Sequence, residues 1–234
     1  MNEWDRHVTP HGDLVQLDTR LWEVAASAPK GPLARTMTVY RLDDGGLLIH
    51  GAHALRPETM TAIEALGEPR LMIVASTFHE MHESLYKQRY PHLVVACPGV
   101  PRAKLQRLVP IDLAAEDLGA RYGITVHSPD GVKPVECCYE LPLGDGVALI
   151  FGDMLMNLPD FAGFQGWLLH AIGSTGFFGM TGMGRMLMLK DRAAFRGWLE
   201  RMAARPDLRV LSVGHGATIR HACDVQLRKA AARL

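Results

Sequence analysis

The sequence predicts an α+β fold, and three observations carry that expectation. Residues 71–75 (LMIVA) are five apolar or small residues in a row, too few to cross a membrane and typical of a strand buried on both faces. Ser76 and Thr77 end that strand and a turn bearing His79 and His82 follows. SLYKQRY then reads as a helix and HLVVACPG as a second buried strand, which completes a βαβ unit. Far downstream, residues 147–151 and 208–213 are two further buried strands, and strands precede helices in each half of the chain.

The elements can be justified in order. Residues 1–36 are mixed and contain proline without a clean period, so they read as an irregular N-terminal arm or short strand laid over a main domain at 37–234. His7 and His11 are four apart, but Pro10 between them argues against a regular helix, which leaves them as surface or packing residues. Residues 37–50 form a hairpin: TMTVYRL, a turn at Asp43-Asp44-Gly45-Gly46, then GLLIH. His50 and His53 follow the second strand and read as packing or capping residues. Residues 57–66 form a short helix with Pro57 in its first turn.

The connection at 98–122 carries a basic turn, PRAKLQRL, in which Arg102, Lys104 and Arg107 suit a solvated face better than an anion site. ITVHS, VECCYELPL and GVALIFGD are three strands separated by Pro-Asp-Gly and Gly-Asp-Gly turns. Residues 160–172 are helical. The segment GSTGFFGMTGMGRMLML has five glycines between Gly173 and Gly184 but neither the Gly-Lys-Ser/Thr ending of a P-loop nor a strand leading into it. Its Phe and Met side chains suit either a flexible cover over an apolar ligand pocket or core filling. Helices are expected from Asp191 to Ala204 and over 217–234, the latter with basic residues toward its end.

Composition argues for no charged partner. Apolar residues make up 48% of the 234, ample for a sizeable core, and 25 basic residues balance 25 acidic ones. The totals therefore give no reason to expect nucleic acid or a membrane surface as a partner. A homo-oligomer is compatible with the sequence. The four cysteines lack Cys-x-x-Cys spacing, which fits a reduced, cytoplasmic protein. The first residues lack the apolar stretch of a signal peptide, and no run of 18 apolar residues occurs, so a soluble, non-exported protein is expected.

Chemistry gathers at strand ends. The strand at 147–151 delivers Gly152 and Asp153, and the strand at 208–213 delivers His215 between Gly214 and Gly216. With His79 and His82 past the first strand, the carboxyl ends offer an N,N,N,O donor set, which suits zinc or iron better than magnesium or calcium.

This order of strand and His turn, then strand-Gly-Asp, then strand-Gly-His-Gly resembles the metallo-β-lactamase superfamily, in particular an uncharacterised group with a reduced His turn. The resemblance covers about Met37 to the end and implies an αββα sandwich, two mixed β-sheets with helices on the outer faces. The superfamily's first motif is Thr-His-x-His-x-Asp-His. Aligned on it, Ser76 takes the Thr position, Thr77 the first His, His79 the second His, Met81 the Asp and His82 the last His. Asp153 falls on the metal-bridging Asp and His215 on the carboxy-terminal His. In GVKPVECCYEL, Val132 stands where a further His is usual, with His127 five residues upstream as the nearby substitute.

The resemblance thus implies metal ligands His79, His82, Asp153 and His215, with Asp153 and His79 as catalytic candidates, and one divalent ion, zinc or else iron. It implies hydrolysis of an ester, lactone, thioester or related small substrate by a metal-activated water. The alternative is a non-catalytic or iron-binding member of the fold that has lost the two-metal hydrolase site.

Overall fold

The computed structural model describes residues 3–27, 33–74, 82–100 and 102–234, without the side chain of Gln165, and resolves into two units, Met1–Thr125 and Val126–Leu234.

In the first unit, apolar runs form a seven-stranded sheet in which spatial order follows chain order. Its strands are β1 (Val15–Asp18), β2 (Leu21–Ser27), β3 (Ala34–Arg41), β4 (Leu47–His50), β5 (Pro69–Ile73), β6 (Val94–Cys97) and β7 (Leu113–Ala114). The first four are antiparallel neighbours and β4 to β7 run parallel. Helices α1 (Glu3–His7), α2 (Pro57–Glu64), α3 (Glu83–Arg89), α4 (Arg102–Leu105) and α5 (Leu118–Tyr122) accompany the sheet.

The hairpin expected at 37–50 is β3–β4, its turn fixed by Asp44 Oδ1 accepting the Gly46 N–H at 2.8 Å. The βαβ unit of residues 71–99 is β5–α3–β6. Residues 15–27, within the segment read as an arm or short strand, supply β1 and β2. The buried Trp22, Val24 and Ala26 give β2 its alternation. Trp4 of α1 is anchored there too, donating to the Leu55 carbonyl at 2.9 Å and packing on Tyr86.

The second unit contains a four-stranded sheet in the order β13-β10-β9-β8: β8 (Thr125–His127), β9 (Cys138–Pro142), β10 (Val147–Phe151) and β13 (Leu208–Val213). β10 lies between an antiparallel β9 and a parallel β13. All five residues of β10 are buried, as a central strand with both faces covered requires. A two-stranded ribbon, β11 (Met156–Leu158) with β12 (Phe177–Gly179), stands beside it, with α6 (Gly163–Ala171), α7 (Gly182–Met188), α8 (Arg192–Ala203) and α9 (Cys223–Ala232). The core is built around Phe151, Phe195 and Trp198, the last two rings stacked at 6.0 Å.

α8 begins where expected, because Asp191 accepts the Ala193 and Ala194 N–H groups as its N-cap. One expectation changes. The last helix starts at Cys223 and not at 217, because Ile219 is drawn into a two-way backbone pairing with Leu211 and Ala222 turns left-handed at φ 51°. The Gly/Met-rich segment contains strand β12 and helix α7. Phe178, Met180 and Met188 fill the core, while Met183 and Met186 are exposed. No disulfide joins the four cysteines, all of which are buried. Among the described residues, no helix is long and apolar enough to cross a membrane.

Candidate metal centre

The parallel pairing of β10 with β13 builds the centre of the candidate site. Phe151 pairs with Val213 as the last residues of the two strands, so Gly152-Asp153 and Gly214-His215 emerge side by side. The turns are tied together: the Gly214 N–H donates to the Gly152 carbonyl at 3.0 Å, and a Cβ on Gly214 would stand 2.7 Å from that oxygen. β11 braces the other side, where the Asn157 N–H donates to the His215 carbonyl at 2.9 Å and Asn157 Nδ2 to the Ala217 carbonyl at 2.7 Å. Gly216, at φ 101°, admits this contact because a Cβ there would lie 1.9 Å from the Asn157 oxygen.

The consequence is that Asp153 Oδ1 and His215 Nε2 stand 3.4 Å apart, with side chains only 8% and 7% exposed. That distance is informative. Two other His–carboxylate pairs in this unit, His127–Glu140 and His170–Asp160, close to 2.7 and 2.8 Å, the length of a charge-assisted hydrogen bond. Two donors each ~2.0–2.1 Å from one tetrahedral ion are separated by ~3.3–3.4 Å. A separation of 3.4 Å matches that of two donors on one such ion, and an imidazole nitrogen with a carboxylate oxygen is a donor pair that suits zinc.

A third residue underlies the pair and went unread in the sequence. Glu136, wholly buried, accepts three successive backbone N–H groups: Gly152 at 2.7 Å and Met154 at 3.2 Å on Oε1, and Asp153 at 2.8 Å on Oε2. Burial and the adjacent Asp153 carboxylate push its pKa up, against the pull of the three N–H donors. No periodicity marks a buried glutamate just ahead of a strand, and only its isolation among Val135, Cys137 and Cys138 hinted at it.

His82 belongs to the first unit, at the start of α3, and is almost wholly buried. Its Nδ1 accepts the Ala54 N–H at 3.2 Å, so the neutral ring carries its proton on Nε2. A ligand role through Nε2 asks that ring to give up its proton or to turn over. Burial, then His7 and Arg35, hold its pKa down to about 4. The rings of His7 and His53 lie 5.7 and 5.6 Å from it, edge to face. His53 is buried, with its carbonyl taking the Tyr86 hydroxyl at 2.8 Å, and His50 is buried as well. His11 Nε2 accepts the Arg56 N–H at 2.9 Å.

His79, with Ser76, Thr77 and Met81, lies outside the described residues. Val132 is buried in the hydrophobic core and bridges to Leu189. His127 Nε2 is held by Glu140, which also binds Arg205, and its ring packs on Trp198. Among the described residues, no three His, Cys, Asp or Glu side chains converge closely enough to enclose an ion.

Comparison with known proteins agrees with the fold. No protein-family profile and no curated protein sequence matches the chain. Solved structures do. A metallo-β-lactamase from Erythrobacter litoralis, with β-mercaptoethanol in its active site, superposes with a TM-score of 0.62 at 14% identity, over 94% of this chain and 96% of that one. The metallo-β-lactamase FIM-1 from Pseudomonas aeruginosa, in its mono-zinc form, gives a TM-score of 0.62 at 12% identity over 97% of each chain. A metallo-β-lactamase from Pontibacter korlensis gives 0.61 at 11% identity over 95% of this chain and 99% of that one. The chain has the metallo-β-lactamase fold, the class that the resemblance of its strand-end motifs implies.

Proposed function

We propose that the protein is a metal-dependent hydrolase that acts on an ester, lactone, thioester or related small substrate and uses one divalent ion, zinc in preference to iron. The single observation that carries the reading is the 3.4 Å separation of the buried Asp153 Oδ1 and His215 Nε2 at the ends of adjacent strands. Support for a single ion comes from Val132, a core residue where the resemblance reserves a histidine, and from the fold's occurrence in a mono-zinc lactamase.

In this reading Asp153 and His215 are ligands, and His79 and His82 supply the remaining donors. A zinc ion held there would lower the pKa of its water from ~16 to ~7 and polarise the carbonyl or phosphoryl oxygen under attack. The chain's own residues do the rest. Asp153 supplies the negative charge that a neutral imidazole lacks, and its second oxygen can orient a water or hold its proton. His215 donates a nitrogen lone pair from a ring whose loop is fixed by Asn157. His79 acts as a further ligand or as a proton carrier.

Elemental analysis of the protein as purified, with hydrolysis assays on p-nitrophenyl esters, lactones and thioesters before and after chelation, tests the proposal. About one equivalent of zinc and turnover abolished by chelator are expected. Absence of both after growth in metal-supplemented medium would overturn it, and a visible absorption band with iron in place of zinc would redirect it to redox chemistry.

A specific observation favours one alternative, a non-catalytic descendant of the fold. His82 spends its Nδ1 lone pair on the Ala54 amide, as a histidine retained for packing does. In that case chelator leaves thermal stability unchanged.

A further inference from the structure

We propose that Glu136 is a positioning residue for the metal centre, holding the Gly152–Met154 turn so that the Asp153 carboxylate meets His215 at ligand distance. The inference rests on the reading of Asp153 and His215 as ligands and adds to it a residue outside the ligand set.

The geometry points one way. A strand that ends in an exposed turn leaves its next N–H groups to water, yet here three in succession, those of Gly152, Asp153 and Met154, are buried and all end on one carboxylate. Buried polar atoms need partners, and a buried carboxylate is costly unless its oxygens are satisfied. Glu136 and the turn therefore solve one another's problem, which fixes the backbone dihedrals on both sides of the Asp153 Cα. The restraint extends to the second ligand. The Gly152 N–H donates to Glu136 while the Gly152 carbonyl accepts from Gly214, the residue before His215. One carboxylate thus anchors the peptides that set both ligands. Its two oxygens are engaged by backbone N–H groups, which makes it a support and not a ligand.

An amide in place of the carboxylate discriminates this role. In Glu136→Gln the side-chain oxygen can keep the Gly152 and Met154 bonds. The NH2 group then faces the Asp153 N–H, a donor against a donor at the position now bonded at 2.8 Å. Losses of 10–100-fold in metal affinity are usual when such a support is removed.

The test titrates zinc into metal-free wild type, Glu136→Gln and Glu136→Asp, and records the visible spectrum of each after cobalt(II) loading. Glu140→Gln serves as the control for general destabilisation, because Glu140 bonds Arg205 and His127. We expect zinc affinity to fall at least about tenfold in Glu136→Gln, with altered cobalt band intensities. Glu140→Gln should bind zinc as wild type does, whatever its melting temperature. If Glu136→Gln fails to fold, Glu136→Asp, which keeps the charge but shortens the reach, carries the comparison. A Glu136 variant that binds zinc within about twofold of wild type and shows its cobalt spectrum overturns the inference alone. Wild type that binds no zinc overturns the metal reading and the inference with it.

Discussion

The buried carboxylate of Asp153 and the imidazole of His215 face each other at 3.4 Å across the ends of β10 and β13. Parallel strands in register put them there, and the turns behind them are tied to each other and to Asn157.

Metal stoichiometry is the first prediction. Val132 is a core residue where a histidine ligand would be needed for one of two ions, and Thr77 and Met81 replace further ligands in sequence. No more than one tightly held ion per chain is expected. Two equivalents surviving dialysis, by elemental analysis, would show that other residues complete a second site.

The glycines around His215 are structural, which gives a second prediction. Gly216→Ala would force a Cβ to within 1.9 Å of the Asn157 carbonyl at a φ of 101°. A destabilisation on the order of 1–3 kcal/mol is expected from the backbone strain alone, with a further loss from displacing β11. Urea denaturation measures it, and an unchanged midpoint would mean that the loop is not braced as described.

A third prediction concerns acid. The His82 ring is held neutral in the fold, with a pKa near 4 against 6.5 in the unfolded chain. Between those values the unfolded chain binds more protons than the folded one, so stability is fully present above about pH 6.5 and declines as pH falls toward about 4. The loss is on the order of 2 kcal/mol once partial solvent screening is allowed for. His82→Asn, whose Oδ1 can accept the Ala54 N–H, should remove this slope in the metal-free protein. Identical pH dependence in variant and wild type would show that the ring does not titrate there.

A fourth prediction, also in acid, concerns Glu140. Burial raises its pKa, but the Arg205 and His127 hydrogen bonds outweigh it and leave the carboxyl below its usual value. A lowered carboxyl stabilises the fold above the unfolded value of 4.5 and loses that contribution as pH falls through the folded one. Glu140→Gln should therefore lower the melting temperature at pH 7 and narrow its gap to wild type near pH 3. A constant gap would contradict the pairing.

The sequence was most informative where burial is two-sided. Residues 71–73 and 147–151 are continuous apolar runs, 208–213 is largely apolar, and each lies in a strand. The pairing of Asp153 with His215 was legible because Gly-Asp and Gly-His-Gly directly follow such strands. Elements set by long-range contacts were not. The segment 217–222 has helix-forming composition but is claimed by the Ile219–Leu211 pairing, which links residues of different elements. Glu136 is a second case, since its role arises when β10 brings three N–H groups to it from 16 to 18 residues away. α6 was legible as a helix, but the exposure of its Phe164 and Trp167 runs against the usual reading of apolar residues as core.

The central claim is that Asp153 is a metal ligand, and it is tested most directly by titrating zinc into wild type, Asp153→Ala and His79→Ala side by side by calorimetry. Asp153 sits on a rigid strand end and brings charge neutralisation, whereas loss of His79 leaves three of the four proposed donors, enough for zinc with an open water position. Asp153→Ala should retain no zinc, and His79→Ala should bind it more weakly than wild type by a smaller factor. Equal affinities for the two variants, or tighter binding by Asp153→Ala, would contradict the claim and leave a site assembled from histidines alone.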